Sequence, residues 1–233
     1  MNNFFIATEG RAGSTLLCQH LKQMGIGTPN SYLSSEFFHL VGSSEYPDVR
    51  AYIESKRRNG YLGLKISWGM LIKMYELWEV EMNVHAFLDD LMPDGKYIYL
   101  TRRDRVHQAL SRIKHIKMDT SHVRGDEKHA AYLVKEKELF EKPVPVDDIH
   151  LRLYTNNQSY AAWDIYFRAY PVEMIRVDFE DLVADRDGVL TKVCAFLGAP
   201  LRLDLLKERL IPTHTRLNDK WYSRVMEGYL KYV

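Results

Sequence analysis

Cysteine is scarce: the 233 residues contain two, Cys18 and Cys194, which excludes a disulfide framework as the basis of the fold. Each lies in an apolar stretch that reads as helix, the usual setting of a buried thiol in a reducing compartment. Long apolar runs are also missing. None has the length needed to span a bilayer, and Met1 to Thr8 carries one short apolar run with neither a basic leader nor a small-residue cleavage site. The chain therefore reads as cytoplasmic, with no integral membrane segment. An excess of one charge is lacking too. Lys and Arg number 32 against 31 Asp and Glu, so no global field would hold the chain on nucleic acid or an anionic membrane. Any anion site has to be local.

What is present is enough apolar residue, 46% of the chain, to bury one sizeable core, and a single domain over 1–233 is expected. Phe4 to Ala7 is a short apolar run ended by the glycine-containing stretch Thr8 to Gly13, the pattern of a buried parallel strand entering a tight loop. A helix should follow, with Leu16, Leu17, Leu21 and Met24 on one face, Ser14 as its N-cap, and Gly25 and Gly27 ending it. The same order recurs at Tyr61 to Ile66 before Met70 to Leu77. It returns at Tyr97 to Leu100 before a helix carrying Val106, Ala109, Leu110 and Ile113 on one stripe. Met174 to Val177 predicts a fourth strand, before a helix with Val189, Leu190, Val193, Phe196 and Leu197 that closes at Gly198. Alternating strands and helices predict an α/β fold, a parallel sheet with helices on both faces.

Between the third and fourth strands the spacing of Ile149, Leu153, Tyr160, Trp163 and Phe167 predicts a helical insertion from roughly Asp147 to Ala169. The charged stretch before it, Met118 to Pro145, ends in Lys142-Pro143-Val144-Pro145, which blocks a continuous helix. That stretch reads as a cover over a site. No internal repeat and no low-complexity tract occurs.

After the first strand, Glu9-Gly10-Arg11-Ala12-Gly13-Ser14-Thr15-Leu16-Leu17 places small residues, one cation and two hydroxyls at a helix N-terminus. Free backbone N–H groups and the positive helix end suit an anion there, Gly13 lets the backbone approach it, and Ser14 and Thr15 can add donors. The bland alternative is a capped strand-to-helix turn. A nucleotide triphosphatase loop would need four residues between its glycines and then Lys-Ser or Lys-Thr, and neither is present. A second element follows the third strand, where Thr101-Arg102-Arg103-Asp104-Arg105-Val106 enters a helix bearing Ser111. On its own Arg103 would read as a solvated strand end. Both elements fall at carboxyl ends of strands, where open α/β sheets bind ligands.

The first segment resembles the 5'-phosphosulfate loop of sulfotransferases that use 3'-phosphoadenosine 5'-phosphosulfate (PAPS), with Arg11 at the basic position and Ala12 in place of the usual hydroxyl. Arg103 and Ser111 have the spacing of the 3'-phosphate motif of those enzymes. Ser35-Glu36-Phe37-Phe38, Gly63-Leu64-Lys65-Ile66-Ser67-Trp68, Val177-Asp178-Phe179-Glu180-Asp181-Leu182 and Phe196-Leu197-Gly198 extend the likeness to the bacterial trehalose 2-sulfotransferase family, from the first strand to about Gly198. Between Met118 and Lys142 the family's aromatic acceptor-side segment has no counterpart.

The resemblance implies a P-loop-like sheet, PAPS as sulfuryl donor, a carbohydrate or glycolipid acceptor, no metal, and a homodimer. It places Arg11, Ala12, Gly13, Ser14, Thr15, Arg103 and Ser111 on the donor and makes Glu36 the base that takes the acceptor's proton. Phe37 and Phe38 beside it would dry the site or belong to the core. Arg11 would offset charge growing on the leaving oxygen. Lys65 alternates with Leu62, Leu64 and Ile66; it either faces the sulfuryl group at the sheet edge or pairs with a carboxylate. Trp68 would stack on a sugar face or fill core. Arg216 and Arg224 are further candidates for the 3'-phosphate. None of the nine histidines has metal-ligand spacing or a carboxylate partner identifiable from sequence. The competing functions are a P-loop-like small-molecule kinase and a nucleotide-binding protein without transferase activity.

Overall fold

A computed structural model describes residues 2–34, 38–39, 41–118, 126–207 and 216–230. The chain divides into two compact units, one made of 1–103 and 159–207 and the other of 104–158 and 208–233.

The first unit is built on four strands, β1 (Asn2–Thr8), β2 (Tyr61–Ile66), β3 (Lys96–Thr101) and β4 (Met174–Asp178). All neighbours are parallel, in the order β2-β1-β3-β4. Side chains alternate across a strand, so consecutive residues of β1 enter different cores. Phe5 and Ala7 join Leu62, Leu64, Ile66, Tyr97 and Tyr99 on one face. Phe4 and Ile6 join Ile98, Leu100 and Val177 on the other. The first face is covered by α2 (Tyr46–Glu54), α3 (Trp68–Leu77) and α4 (Val84–Leu91), with Tyr160, Trp163 and Tyr166 from the long helix α7 (Val146–Ala169). The second is covered by α1 (Ser14–Gln23), α8 (Phe179–Ala184) and α9 (Arg186–Leu197). Both faces of a parallel sheet are thus buried, as its unbroken apolar strands require. Gly63 is where this packing is tightest: a Cβ there would lie 2.4 Å from the Phe4 ring.

The second unit is helical. It contains α5 (Arg105–Met118), α6 (Asp126–Phe140), the first half of α7 and α10 (Arg216–Leu230). Ala109, Leu110, Ile113, Tyr132, Leu139, Ile149, Leu217, Trp221 and Val225 form its core. Lys114 is buried among them, 3% exposed, and its ammonium is satisfied by Glu136 at 2.5 Å and the Asn218 Oδ1 at 2.9 Å. The described part of the charged stretch expected to be a cover is therefore a helix that supplies Tyr132, Leu139 and Glu136 to this core. The Pro143 and Pro145 region separates α6 from α7, as the sequence implied.

The apolar stripe of α7 divides between the units. Ile149 and Leu153 belong to the helical core, whereas Tyr160, Trp163 and Phe167 belong to the sheet. At the end of α9, Gly198 takes a left-handed conformation (φ 63°), and the Ala199 N–H bonds the Cys194 carbonyl at 2.8 Å, the glycine stop expected from sequence.

Candidate active site

The β1–α1 loop sits at the carboxyl end of β1, the inner strand between β2 and β3. Two of its residues are left-handed, Arg11 (φ 69°) and Gly13 (φ 82°). For a residue with a Cβ this conformation costs about 1–2 kcal/mol, so something must hold Arg11 there. Gly13 is the residue preceding α1, and Ser14, expected as the cap, is instead the first helical residue, with no side-chain cap bond at this end. The physical reason is the turn itself: left-handed Gly13 brings its own carbonyl to the Leu16 and Leu17 N–H groups (3.0 and 3.2 Å), which fixes the helix start without a side chain. Successive N–H groups in such a turn form a concavity suited to an anion, and the positive end of α1 adds to it. Ala12 is fully buried and Ser14 is 7% exposed.

The loop is enclosed by the ends of β3 and β4. Arg102 Nη1 donates to the Arg11 carbonyl oxygen at 3.2 Å, and its guanidinium lies 4.7 Å from the centre of the Phe179 ring. That ring fills the space where a Gly13 Cβ would project, 2.3 Å from its position. Thr101 Oγ1 donates to the Asp178 carboxylate. Arg103, the residue after Arg102, is turned toward the same β4–α8 corner, with Nη2 on Asp181 at 2.8 Å, Nη1 on Asp178 at 3.3 Å and its N–H on Glu180 at 3.0 Å. The Arg103 guanidinium holds the Asp181 carboxyl below the ordinary carboxylate range.

On the other side, Glu9 is buried, and its Oε1 accepts the Trp68 N–H at 2.9 Å. Ser67 Oγ accepts the Met70 N–H at 3.3 Å, so one carboxylate and one hydroxyl together satisfy the start of α3. Lys65 is the penultimate residue of the edge strand β2, beside Ile6 of β1. It is half-buried and, among the described residues, has no ion pair with a carboxylate. Trp68 is half-buried and packs edge-on to Trp163, ring centres 5.1 Å apart. Phe38 packs against the same core.

Several expected residues stand elsewhere. Glu36 and Phe37 lie outside the described residues. Ser111 is on α5, in the helical unit. Arg224 pairs with Glu227 at 3.0 Å on α10, and nothing is described of the Arg216 side chain. His107 has a carboxylate partner among the described residues: its Nδ1 is 2.6 Å from Asp104 Oδ2, and its ring stacks on Tyr222 at 4.3 Å. Asp104 also accepts the His107 N–H at 2.8 Å, so the pair caps the start of α5. The i, i+3 spacing was the available signal. Among the described residues no helix is long and apolar enough to cross a membrane, and no group of His, Cys, Asp or Glu could hold a metal ion.

Glu9, Arg102 and Phe179 are the site residues that sequence reasoning did not single out. The Glu-Gly-Arg and Thr-Arg-Arg contexts gave their charge, but their roles depend on contacts between strand ends far apart in the chain.

The Stf0 sulphotransferase family model matches residues 3–227. The chain belongs to the Stf0 sulphotransferase family. This sulfotransferase is also similar in structure to the sulfotransferase domain of the Synechococcus PCC 7002 olefin synthase, at a TM-score of 0.46 and 19% identity over 95% of this chain and 87% of that one. Mouse sulfotransferase SULT7A1, solved in complex with PAP, aligns at 0.45 and 13% over 88% and 61%. The sulfotransferase domain of the curacin biosynthetic pathway aligns at 0.44 and 16% over 88% and 77%. No curated protein matches this Stf0 member.

Proposed function

We propose that this Stf0 sulfotransferase moves a sulfuryl group from PAPS to a hydroxyl of a carbohydrate, either a trehalose-like sugar or the headgroup of a glycolipid. In this reading 1–233 works as one sulfotransferase domain, in the cytoplasm, as a homodimer and without a metal. The observation that carries it is the β1–α1 turn. Left-handed Arg11 and Gly13 at a helix N-terminus, with a cation and two hydroxyls, suit the anionic end of a 5'-phosphosulfate.

The donor supplies an activated sulfuryl group, and the work left to the chain is positioning and charge stabilisation, by analogy with phosphoryl transfer. Arg11, Ala12, Gly13, Ser14 and Thr15 hold the 5' side, with Arg11 offsetting charge on the leaving oxygen. Arg103 and Ser111 hold the 3'-phosphate. Glu36 accepts the acceptor's proton. In this reading Lys65, which has no carboxylate partner among the described residues, faces the sulfuryl oxygens, and Phe37 and Trp68 offer apolar surface to a sugar ring.

Incubation with radiolabelled PAPS and a panel of sugars and lipid extracts tests this directly. Label is expected in a carbohydrate-bearing product, and the absence of any labelled acceptor would remove the assignment. Titration calorimetry separates the alternatives. Adenosine 3',5'-bisphosphate (PAP) is expected to bind far more tightly than AMP or ATP, whereas a kinase-like protein would favour ATP.

A further inference from the structure

The mechanism outlined above leaves Arg102 without a part, although it is the only cation among the described residues seen to donate to the β1–α1 loop backbone. We propose that Arg102 is a positioning residue that sets the shape of this loop, with Phe179 as its platform. The assignment rests on the reading of the loop as the 5' side of the donor site.

Three observations converge. Arg11 holds a left-handed backbone that a residue with a side chain rarely adopts, and its carbonyl is the acceptor of Arg102 Nη1 at 3.2 Å. The guanidinium lies over the face of Phe179, 4.7 Å from the ring centre, within the range of a cation–π contact. The same ring closes the space above Gly13, the other left-handed residue. One arginine and one phenylalanine thus restrain both unusual backbone positions of the loop. Strain of this kind persists only where the surroundings impose it.

Arg102 also differs from its neighbour. Its side chain is 15% exposed against 54% for Arg103, and its distance to Glu180, 3.9 Å, makes that carboxylate a weak partner compared with the two that hold Arg103. A half-buried, planar group that donates to a carbonyl and stacks on a ring is a use of arginine that lysine reproduces only in part.

Calorimetry with two probes tests this. PAP carries both phosphates, and adenosine 5'-phosphosulfate lacks the 3'-phosphate. Arg102→Ala is expected to weaken both by the same factor, about ten- to hundredfold, the weight of one hydrogen bond from a charged donor. Arg102→Lys should recover part of that loss, and the donor KM should rise while the acceptor KM stays put. If Arg102→Ala does not fold, Phe179→Leu, which keeps apolar volume and removes the ring face, should give the same paired loss. Weaker PAP with unchanged adenosine 5'-phosphosulfate would overturn the assignment by making Arg102 a direct 3'-phosphate ligand. Unchanged affinity for both would overturn it as well. If the wild-type protein binds neither probe, the donor reading itself falls, and the role of Arg102 falls with it.

Discussion

Gly13 and Phe179 are packed so closely that a methyl group on the glycine would lie 2.3 Å from the ring. The glycine also has a φ of 82°. Gly13→Ala therefore meets two costs, about 1–2 kcal/mol for the left-handed backbone and about 1–3 kcal/mol for displacing the ring. The expected outcome is a lower melting temperature together with weakened PAP binding, measured by scanning calorimetry and titration on the same preparation.

Arg103 is held by Asp178 and Asp181 at an exposed corner, so it is already neutralised when a phosphate arrives. Asp181→Asn should tighten PAP binding and leave the melting temperature near wild type, because exposed ion pairs add little stability. Arg103→Ala should raise the donor KM far more than the acceptor KM. The pH sign follows from the depressed Asp181 carboxyl. The pair's contribution is present above the ordinary Asp pKa of 3.8 and is lost as pH falls through the lower folded value.

Glu36→Gln is expected to leave PAP affinity intact and slow sulfuryl transfer about 10²–10⁴-fold. Single-turnover assays with pre-bound donor separate this from a binding defect.

Lys114 and Glu136 make the buried ion pair of the helical unit. Glu136→Ala takes the carboxylate from a buried ammonium and should cost about 3–5 kcal/mol in urea denaturation. The double replacement Lys114→Met with Glu136→Leu should recover most of it, since a well-packed apolar pair avoids the desolvation of both charges.

Cys18 is buried against α1's neighbours, and burial pushes its thiol from 9.0 up to about 11. In native protein at pH 8 it should resist an alkylating or disulfide reagent that labels it after denaturation. Between pH 9 and about 11 the unfolded chain gives up this proton more readily than the folded one, so stability should fall as pH rises through that window.

Much of this architecture was legible from the chain. Four apolar runs of strand length, each entering a turn, gave the parallel sheet, and Gly198 and Pro143 stopped helices where expected. The β1–α1 turn was readable as a candidate anion site because its signal is local: small residues, a cation and hydroxyls in one short run. The cap was misread because Ser14 is a good capping residue by type, whereas a left-handed Gly13 does the same work with its own carbonyl. Arg102 escaped notice for a different reason. Its partner Arg11 is 91 residues away, and two adjacent arginines with the same local propensity acquire different tasks only when β4 brings Phe179 under one and Asp181 beside the other. The α7 stripe was correct in phase, but periodicity does not say that one stripe serves two cores.

The order of the strands has a consequence for synthesis. β1 is made first yet lies inside the sheet, so its two edges wait for β2 and then β3, and the loop that follows it waits longer still for the ring of Phe179 at the end of β4. A nascent chain released before that point holds the whole β1–α1 loop in covalent form without the side chains that shape it. Ribosome-arrested lengths ending before β4 should fail to retain PAP, and the full chain, α10 included, should capture it.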